Sequence, residues 1–225
     1  DIAAAFHEEL QPMTGNEKGW LFAAGVDLGL TRDCSAVVVL GVPSGGKAGR
    51  IRLANHRLWK PRAGKKIDLM DVEQHILEMD ERYNLEVVGF DPWQCEFLAQ
   101  RLEADSGHRR RNALRQRFAK GPWMREVPPT ASNIREQATL VIETFGDRRL
   151  QCYPCEPLHR DLLKLRVEEK SYGIRLTSPR DEGGHGDVFS AFSLALLVGH
   201  DLAGRKPFVV GSDLLSYSTD TTLPN

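Results

Sequence analysis

The first half of the chain contains three short apolar runs separated by polar or glycine-rich residues. Residues 21–28 carry Asp27 near their end and are followed by Gly29, residues 35–42 are rich in valine, and residues 50–59 follow a glycine-rich tip at 43–49. Runs of this length between turn signals are typical of β-strands. We therefore predict a three-stranded meander whose first strand carries Asp27 at its end.

At Ile67 the period of apolar residues changes from that of a strand to that of a helix. Apolar residues recur at steps of three and four after Asp68, which is placed to cap the helix: Leu69, Val72, Ile76, Met79 and Tyr83. A fourth strand is predicted at 86–91, and its last residue is Asp91. The sequence thus predicts a helix that crosses back to a further strand.

Shorter elements are predicted beyond Asp91. A helix is expected from about residue 93 to residue 104, the basic segment 109–120 is expected to be helical, and residues 124–127 are expected to form a short fifth strand. Asn133 and Glu136 have the spacing of a capping box for the next helix. The buried side of that helix is predicted to be Ile134, Ala138, Val141 and Phe145.

The remaining elements lead to a last helix that is apolar nearly all round. Residues 150–153 are a short extended piece, and a helix follows that is marked by Leu158, Leu162 and Leu165. Residues 172–176 resemble a strand and residues 177–186 a loop. The last helix, at 188–198, must be buried because it has almost no polar side.

Together these elements predict an α/β fold with a mixed central sheet and helices on both faces. At 225 residues the chain is long enough for one substantial core. Residues 1–19 are expected to be a linker or a truncated junction, because they mix polar residues with proline and glycine and lack a sustained period. Residues 201–225 become rich in serine, threonine and aspartate and are expected to form a C-terminal tail.

Composition and charge argue against a membrane span. Charged residues are 27% and hydrophobic residues 41% of the chain, and no apolar run approaches the ~18 residues that a span needs. A cytosolic protein is expected. The formal net charge of -1 hides a local imbalance, since residues 101–120 hold seven arginine or lysine residues against Glu103 and Asp105. A polyanion could bind that segment.

The four cysteines do not predict a disulfide framework. Cys34, Cys95, Cys152 and Cys155 are irregularly spaced, and no signal peptide is found ahead of them, so free thiols are expected. Cys152 and Cys155 have the spacing of half a zinc site or of a redox pair. No second Cys/His pair completes the first and no thioredoxin context supports the second, so structural or incidental cysteines are favoured.

Three aspartates stand at the edges of predicted core elements. Asp27 and Asp91 end strands, and Asp187 follows a glycine-rich turn at the start of the last helix. Each alone is more often a turn former or a helix cap than a ligand. Gathering three carboxylates is costly unless a cation lies between them. The coincidence therefore predicts a divalent-metal site.

The chain around the first and third aspartates reads Val26-Asp27-Leu28-Gly29-Leu30-Thr31-Arg32-Asp33 and His185-Gly186-Asp187-Val188-Phe189-Ser190-Ala191. These phrases, with the order Asp27, Asp91, Asp187, resemble the nuclease domain of tailed-bacteriophage large terminase subunits, in the ribonuclease-H/integrase superfamily. The resemblance spans about residues 20–199. It implies a ribonuclease-H-like nuclease domain at 20–200.

The resemblance implies a metal-dependent DNA endonuclease that cuts concatemeric viral DNA during genome packaging by two-metal phosphodiester hydrolysis. Asp27, Asp91 and Asp187 would be catalytic and would hold two ions, Mg²⁺ or Mn²⁺, roughly 4 Å apart, with Asp27 bridging both. Asp33 is a candidate auxiliary ligand, although a turn-capping role is favoured. His185 is a candidate for contact with the scissile phosphate or for proton relay, and a solvent-facing loop histidine fits equally well.

The partners that the resemblance implies are double-stranded DNA, an N-terminal packaging ATPase domain, the portal and the small terminase subunit, in the cytoplasm of an infected bacterial host cell. No ATPase is recognisable in this chain, so an isolated nuclease domain is expected. The basic segment is by default a solvated helix face, but beside a nuclease site it is a candidate DNA contact, with Trp123 as a stacking partner. Its cationic residues are Arg109, Arg110, Arg111, Arg115, Arg117 and Lys120.

Three alternatives stay open: another ribonuclease-H-like nuclease of resolvase or integrase type, an actin-like ATPase or sugar kinase, and a non-catalytic DNA-binding module. The ATPase would need a second phosphate loop beside the next acidic strand, and Phe90-Asp91-Pro92-Trp93 is not one. Residues 41–48 nearly match the loop G-x-x-x-x-G-K-[ST]. Ala48 has no hydroxyl, however, and a strand follows, so a plain hairpin turn is predicted.

Overall fold

The computed structural model describes residues 2–29, 33–46, 48–61, 66–104, 122–179 and 186–203, with the backbone alone at residue 94. Strands β1 (Trp20–Asp27), β2 (Ser35–Pro43) and β3 (Ile51–Trp59) form the predicted meander. β1 pairs antiparallel with β2, and β2 pairs antiparallel with β3. The hairpin predicted in place of a phosphate loop is confirmed, because β2 and β3 flank it.

Helix α1 (Leu69–Tyr83) carries the chain across the sheet to β4 (Leu85–Phe90), which is parallel to β1. A carboxylate oxygen of Asp68 accepts a hydrogen bond from the backbone N–H of Met70 at 2.9 Å, which confirms the predicted cap. Parallel pairing requires such a crossover, since a tight turn can only join antiparallel strands.

Two short strands complete the central sheet at its edges. β5 (Met124–Glu126) is parallel to β4, and β6 (Leu150–Gln151) is parallel to β3. The six strands therefore lie in the order β5, β4, β1, β2, β3, β6. Parallel and antiparallel pairs coexist, so the predicted mixed sheet is confirmed.

Helices cover both faces of the sheet, as predicted. One face packs against α1 and α2 (Pro92–Ala104), and the other against α3 (Ala131–Gly146), α4 (Glu156–Leu163) and α5 (Asp187–Leu202). Successive residues of β1 alternate between the two cores: Phe22, Ala24 and Val26 lie with α1 and α2, and Leu21 and Ala23 lie with the other helices. This alternation follows from the pleat, which points neighbouring side chains to opposite faces.

Two glycines let α5 lie close against the sheet. Gly25 of β1 and Gly89 of β4 are cross-strand partners. A Cβ atom at Gly25 would lie 2.0 Å from the carbonyl oxygen of Ala191, and one at Gly89 would lie 2.8 Å from Cγ1 of Val198. Both distances are far inside van der Waals contact. The prediction that the last helix is buried is confirmed, and the missing side chains explain how it comes so near.

Two local predictions are wrong. The cap of α3 is Thr130, whose hydroxyl oxygen accepts a hydrogen bond from the Asn133 N–H at 3.3 Å; the amide of Asn133 instead donates to the carbonyl of Pro128. The second error concerns a separate hairpin formed by β7 (Arg166–Lys170) and β8 (Gly173–Thr177). β7 was not predicted, because most of its residues are polar and exposed and show no alternation.

Residues 2–19 are partly packed into the domain. Ala5 and Met13 are buried, and Phe6 forms a parallel bridge with Cys152 just beyond β6. The Tyr83 hydroxyl donates a hydrogen bond to the carbonyl of Met13 at 2.6 Å. The role of this segment as a junction stays a prediction.

The four cysteines are buried and are not paired in disulfides. No helix among the described residues is long and apolar enough to cross a membrane.

Candidate active site

Two aspartates meet where neighbouring parallel strands end. Asp27 is the last residue of β1, and Asp91 directly follows β4. Val26 and Phe90 are cross-strand partners, so the two carboxylates leave the same edge of the sheet side by side. The backbone N–H of Trp93 donates to a carboxylate oxygen of Asp91 at 3.0 Å, which fixes that side chain at the start of α2.

Helix α5 brings the third aspartate to the same edge. Asp187 is its first residue and is buried. The preceding Gly186 has φ 81°, and a Cβ atom there would lie 2.5 Å from Cβ of Ser178. Only glycine adopts this turn without strain, so Gly186 sets the direction in which the helix starts.

The pKa of Asp27 shows how closely these groups are gathered. Burial is the main cause that raises this pKa from 3.8 to about 7, and the charge of Asp187 raises it further. Asp91 and Asp33 add smaller contributions in the same direction. A hydrogen bond from the Ser190 side chain opposes them and lowers the pKa. The three predicted aspartates and Asp33 therefore form one electrostatic cluster.

A cavity of about 270 Å³ opens beside this cluster. Its polar lining consists of Asp27, Asp91, Gln137, Arg175, Ser190 and Ser193. Its remaining wall is apolar and is formed mainly by residues of α3, α5 and β8. The Ser193 hydroxyl donates to Oε1 of Gln137 at 2.9 Å, which links α5 to α3 across the cavity wall.

Two polar residues of this region were missed by the sequence analysis. Ser190 lies one turn after Asp187 on α5, and this spacing of three could have suggested it. Asp161 is a buried residue of α4, and one of its carboxylate oxygens accepts a hydrogen bond from the Phe189 N–H at 3.3 Å. Burial raises the pKa of Asp161. No local pattern in the sequence connects Asp161 with the start of α5.

Two buried thiols lie near the carboxylates. Burial raises the pKa of Cys34 to about 11, and a hydrogen bond to Asp187 contributes to the rise. Burial and the charges of Asp27 and Asp91 also raise the pKa of Cys95. Both thiols are therefore protonated at neutral pH, and neither is suited to act as a nucleophile.

The cluster offers hard oxygen donors, which are the ligands that Mg²⁺ and Mn²⁺ prefer. Within the described part of the chain, no group of three or more His, Cys, Asp or Glu side chains is arranged around a single metal position.

Other predicted site residues have mixed outcomes. His185 and the six cationic residues of the basic segment lie outside the described residues. Trp123 is buried, and its indole N–H donates to the carbonyl of Leu85 at 3.0 Å. The prediction that Trp123 stacks on DNA is therefore wrong: this side chain serves the core. The role of Asp33 as an auxiliary ligand stays a prediction.

By sequence, no protein-family model and no curated protein matches the chain. Solved structures do match. The Thermus phage P74-26 large terminase nuclease domain has a TM-score of 0.55 at 14% identity, over 86% of this chain and 90% of that chain. The P22 large terminase nuclease domain has a TM-score of 0.55 at 13% identity, over 92% of each chain.

The HK97 bacteriophage large terminase has a TM-score of 0.60 at 15% identity. The match covers 82% of this chain but only 40% of that protein. The nuclease of the thermophilic phage G20c, which also matches, was solved with bound magnesium at 12% identity and a TM-score of 0.56. The chain therefore has the ribonuclease-H-like fold of bacteriophage large terminase nuclease domains.

Proposed function

We propose that this protein is a divalent-metal-dependent DNA endonuclease of the terminase kind, acting by two-metal phosphodiester hydrolysis. The observation that supports it most directly is the carboxylate cluster around Asp27, on a fold shared with phage terminase nucleases. The partly buried Asp27 carboxyl, with a pKa near 7 and further acids beside it, is costly to ionise without a cation.

Asp27 would bridge two ions, with Asp91 on one and Asp187 on the other. Mg²⁺ or Mn²⁺, when bound, would make a water molecule more acidic and neutralise the charge on the leaving oxygen. Asp33 remains a proposed auxiliary ligand.

Neighbouring side chains would hold the carboxylates in position. The Ser190 hydroxyl bonds to Asp27 and so orients the carboxylate that the two ions would share. Asp161 accepts from the Phe189 N–H and so secures the first turn of α5, which carries Asp187. Burial raises the pKa of the Cys34 and Cys95 thiols, and Mg²⁺ and Mn²⁺ prefer hard oxygen donors to sulfur, so the carboxylates would be the ligands.

The substrate and partners follow from the proposed activity. Double-stranded DNA would be the substrate, and the basic segment with His185 would lie beside the cut phosphate. The HK97 match supports a larger assembly, because this chain spans only 40% of that terminase. A packaging ATPase domain, a portal and a small terminase subunit would be the partners, in the cytoplasm of an infected bacterial cell.

A cleavage assay on supercoiled plasmid tests the proposal. The purified chain should nick and linearise the plasmid when Mg²⁺ or Mn²⁺ is supplied and should be inactive in chelator. Asp27→Asn, Asp91→Asn and Asp187→Asn should each lower the rate by at least about 100-fold, since each removes a charged ligand.

Glu103→Gln is the matched control, because it removes an exposed carboxylate from α2 outside the cluster. Its rate should equal that of the wild type. Wild-type rates in the three aspartate variants would refute the site assignment. Saturable ATP binding with no cleavage would favour the actin-like alternative.

A further inference from the structure

We propose that Trp93 and Phe97 form a platform that stacks unpaired DNA bases next to the cleavage site. This inference rests on the proposed nuclease function and adds a second, sequence-tolerant contact with the substrate. The two rings are exposed over 83% and 65% of their area. They are the most exposed large hydrophobic residues among those described in the chain.

The two rings lie on one face of α2. Residues four apart are neighbours on a helix surface, and the opposite side of α2 is buried through Cys95, Leu98 and Leu102. The helix is therefore anchored to the sheet by its apolar side, while two aromatic side chains are held outward. Two neighbouring exposed aromatic rings form an apolar patch, and such patches commonly mark interaction sites.

The position of the platform connects it with the site. Trp93 is two residues from Asp91, and its backbone N–H bonds to the Asp91 carboxylate. A strand whose phosphate lies at the carboxylates would pass the start of α2, so bases next to the cut would come within reach of the indole. The platform is thus continuous with the proposed active site.

The charge that follows α2 in the sequence favours nucleic acid over an apolar protein partner. On α2 itself the exposed charges are mixed, since Glu96 and Glu103 are exposed and Arg101 is ion-paired with Glu73 at 2.9 Å. The chain after α2 is the segment with six of the seven cationic residues of 101–120, which provides the charge that a polyanion requires. Aromatic rings combined with positive charge are the usual composition of single-strand binding surfaces.

The platform requires bases that are not paired. In an intact duplex the base faces are stacked on each other, so an external ring has no face to contact. The class of ligand is therefore single-stranded DNA or a duplex opened at a nick or an end. The platform would hold the opened strand while the chain cuts or after it has cut.

Quenching of tryptophan fluorescence by oligo(dT) tests this proposal without cleavage. The full chain is titrated in Ca²⁺ in place of Mg²⁺, so that binding is read apart from activity. Of the four tryptophans, Trp93 is largely exposed, whereas Trp20 and Trp59 are half-buried and Trp123 is buried. We expect saturable quenching by oligo(dT), less quenching by the blunt duplex, and loss of most of the signal in Trp93→Leu.

Leucine keeps the apolar surface and the helix propensity but cannot stack, which separates stacking from hydrophobic docking. Trp93→Leu and Phe97→Leu should each weaken oligo(dT) binding by about 5- to 100-fold, measured by anisotropy of a labelled strand. Trp93→Phe should retain most of the affinity. Leu163→Ala removes an exposed apolar side chain from α4 and should leave the affinity unchanged.

Wild-type oligo(dT) affinity in Trp93→Leu would overturn the platform. So would a DNA-free dimer of the wild type that dissociates on Trp93→Ala, since the face would then be covered by a second copy. A wild type that binds oligo(dT) through Trp93 but never nicks plasmid would refute the nuclease and leave the platform standing. Normal plasmid nicking, together with wild-type oligo(dT) affinity in the leucine variants, would refute the platform and leave the nuclease proposal standing.

Discussion

Asp27 is the residue at which burial and neighbouring charge act together. A carboxyl whose pKa is raised in the folded protein binds its proton more tightly than in the unfolded chain. Its contribution to stability is therefore largest at low pH. That contribution is lost as the pH rises from 3.8, the unfolded value, through about 7, the folded value.

The metal-free protein should consequently become less stable between pH 4 and pH 7, by up to about 1.4 kcal/mol per pH unit from this group. Asp27→Asn should remove that dependence. In chelator, its melting temperature should match the wild type near pH 4 and exceed it by several degrees near pH 7.5. Glu103→Gln should show no such pH-dependent gain. Parallel melting curves of Asp27→Asn and wild type across this range would contradict the assignment.

The sequence revealed the acids but not their supporting contacts. Asp27 and Asp91 could be located because each ends a short apolar run, and strand ends in parallel pairs meet at one edge. Asp161 could not, because its contact depends on how α5 packs against α4. The spacing of three places Ser190 on the same helix face as Asp187, but its hydrogen bond to Asp27 depends on how α5 packs over β1. Trp123 was misassigned because an aromatic residue next to a basic segment looks the same in sequence whether it is buried or exposed.

At the scale of elements, the close approach of α5 to the sheet decides the geometry of the site. The helix carries Asp187 and Ser190, and the strand beneath it carries Asp27. Gly25, two residues before Asp27, is the point at which a side chain would collide with the helix backbone. The spacing between strand and helix is therefore set by a residue that has no chemistry of its own.

Gly25→Ala should lower the free energy of unfolding by about 2 kcal/mol or more, because the new methyl group would overlap backbone atoms of α5. It should also reduce cleavage and raise the Mn²⁺ concentration needed for half-maximal activity. Gly45→Ala is the control, since a Cβ atom there meets no atom within 4 Å. Urea denaturation and metal titration measure the two effects. Identical urea denaturation and metal titration curves for the two variants would show that α5 can move to accommodate the methyl group without loss of stability.

Elements with strong periodicity were predicted well, and weakly patterned ones were not. The apolar steps of α1 and the valines of β2 have a single structural interpretation. β7 contains Arg166, Glu168 and Lys170 and is stabilised by pairing with β8 rather than by a buried face. The cap of α3 was placed at Asn133 instead of Thr130 because both residue types satisfy the same backbone donors.

At the scale of the molecule, a formal net charge of -1 and a local cationic segment are compatible with DNA binding through phosphates. Binding should then be largely indifferent to sequence and should weaken steeply with salt. In the sequence, the cationic segment connects α2 to β5. α2 is the helix that follows Asp91, and β5 is the strand beside β4.

Replacement of Arg109, Arg110 and Arg111 by glutamine should lower the slope of log K against log salt by about two to three, if each contacts a phosphate. Lys18, Arg50 and Arg148 provide the control triple. They are exposed and lie near the end of the sheet opposite Asp27. Their replacement should leave the slope unchanged. An unchanged slope of log K against log salt in the Arg109, Arg110 and Arg111 variant would show that these side chains do not contact phosphates.

The bridge between Phe6 and Cys152 has a practical consequence for recombinant expression. The N–H of His7 donates to the carbonyl of Cys152 at 2.9 Å, and the N–H of Cys152 donates to the carbonyl of Ala5 at 2.7 Å. These bonds occupy backbone groups that would otherwise extend the edge of the sheet beyond β6. A shortened gene that starts at residue 20 would encode a protein with an uncovered edge and with apolar surface where Ala5 and Met13 had packed. Such edges pair with other chains, so the trimmed product is expected in inclusion bodies, whereas the chain retaining residues 2–19 is expected in the supernatant.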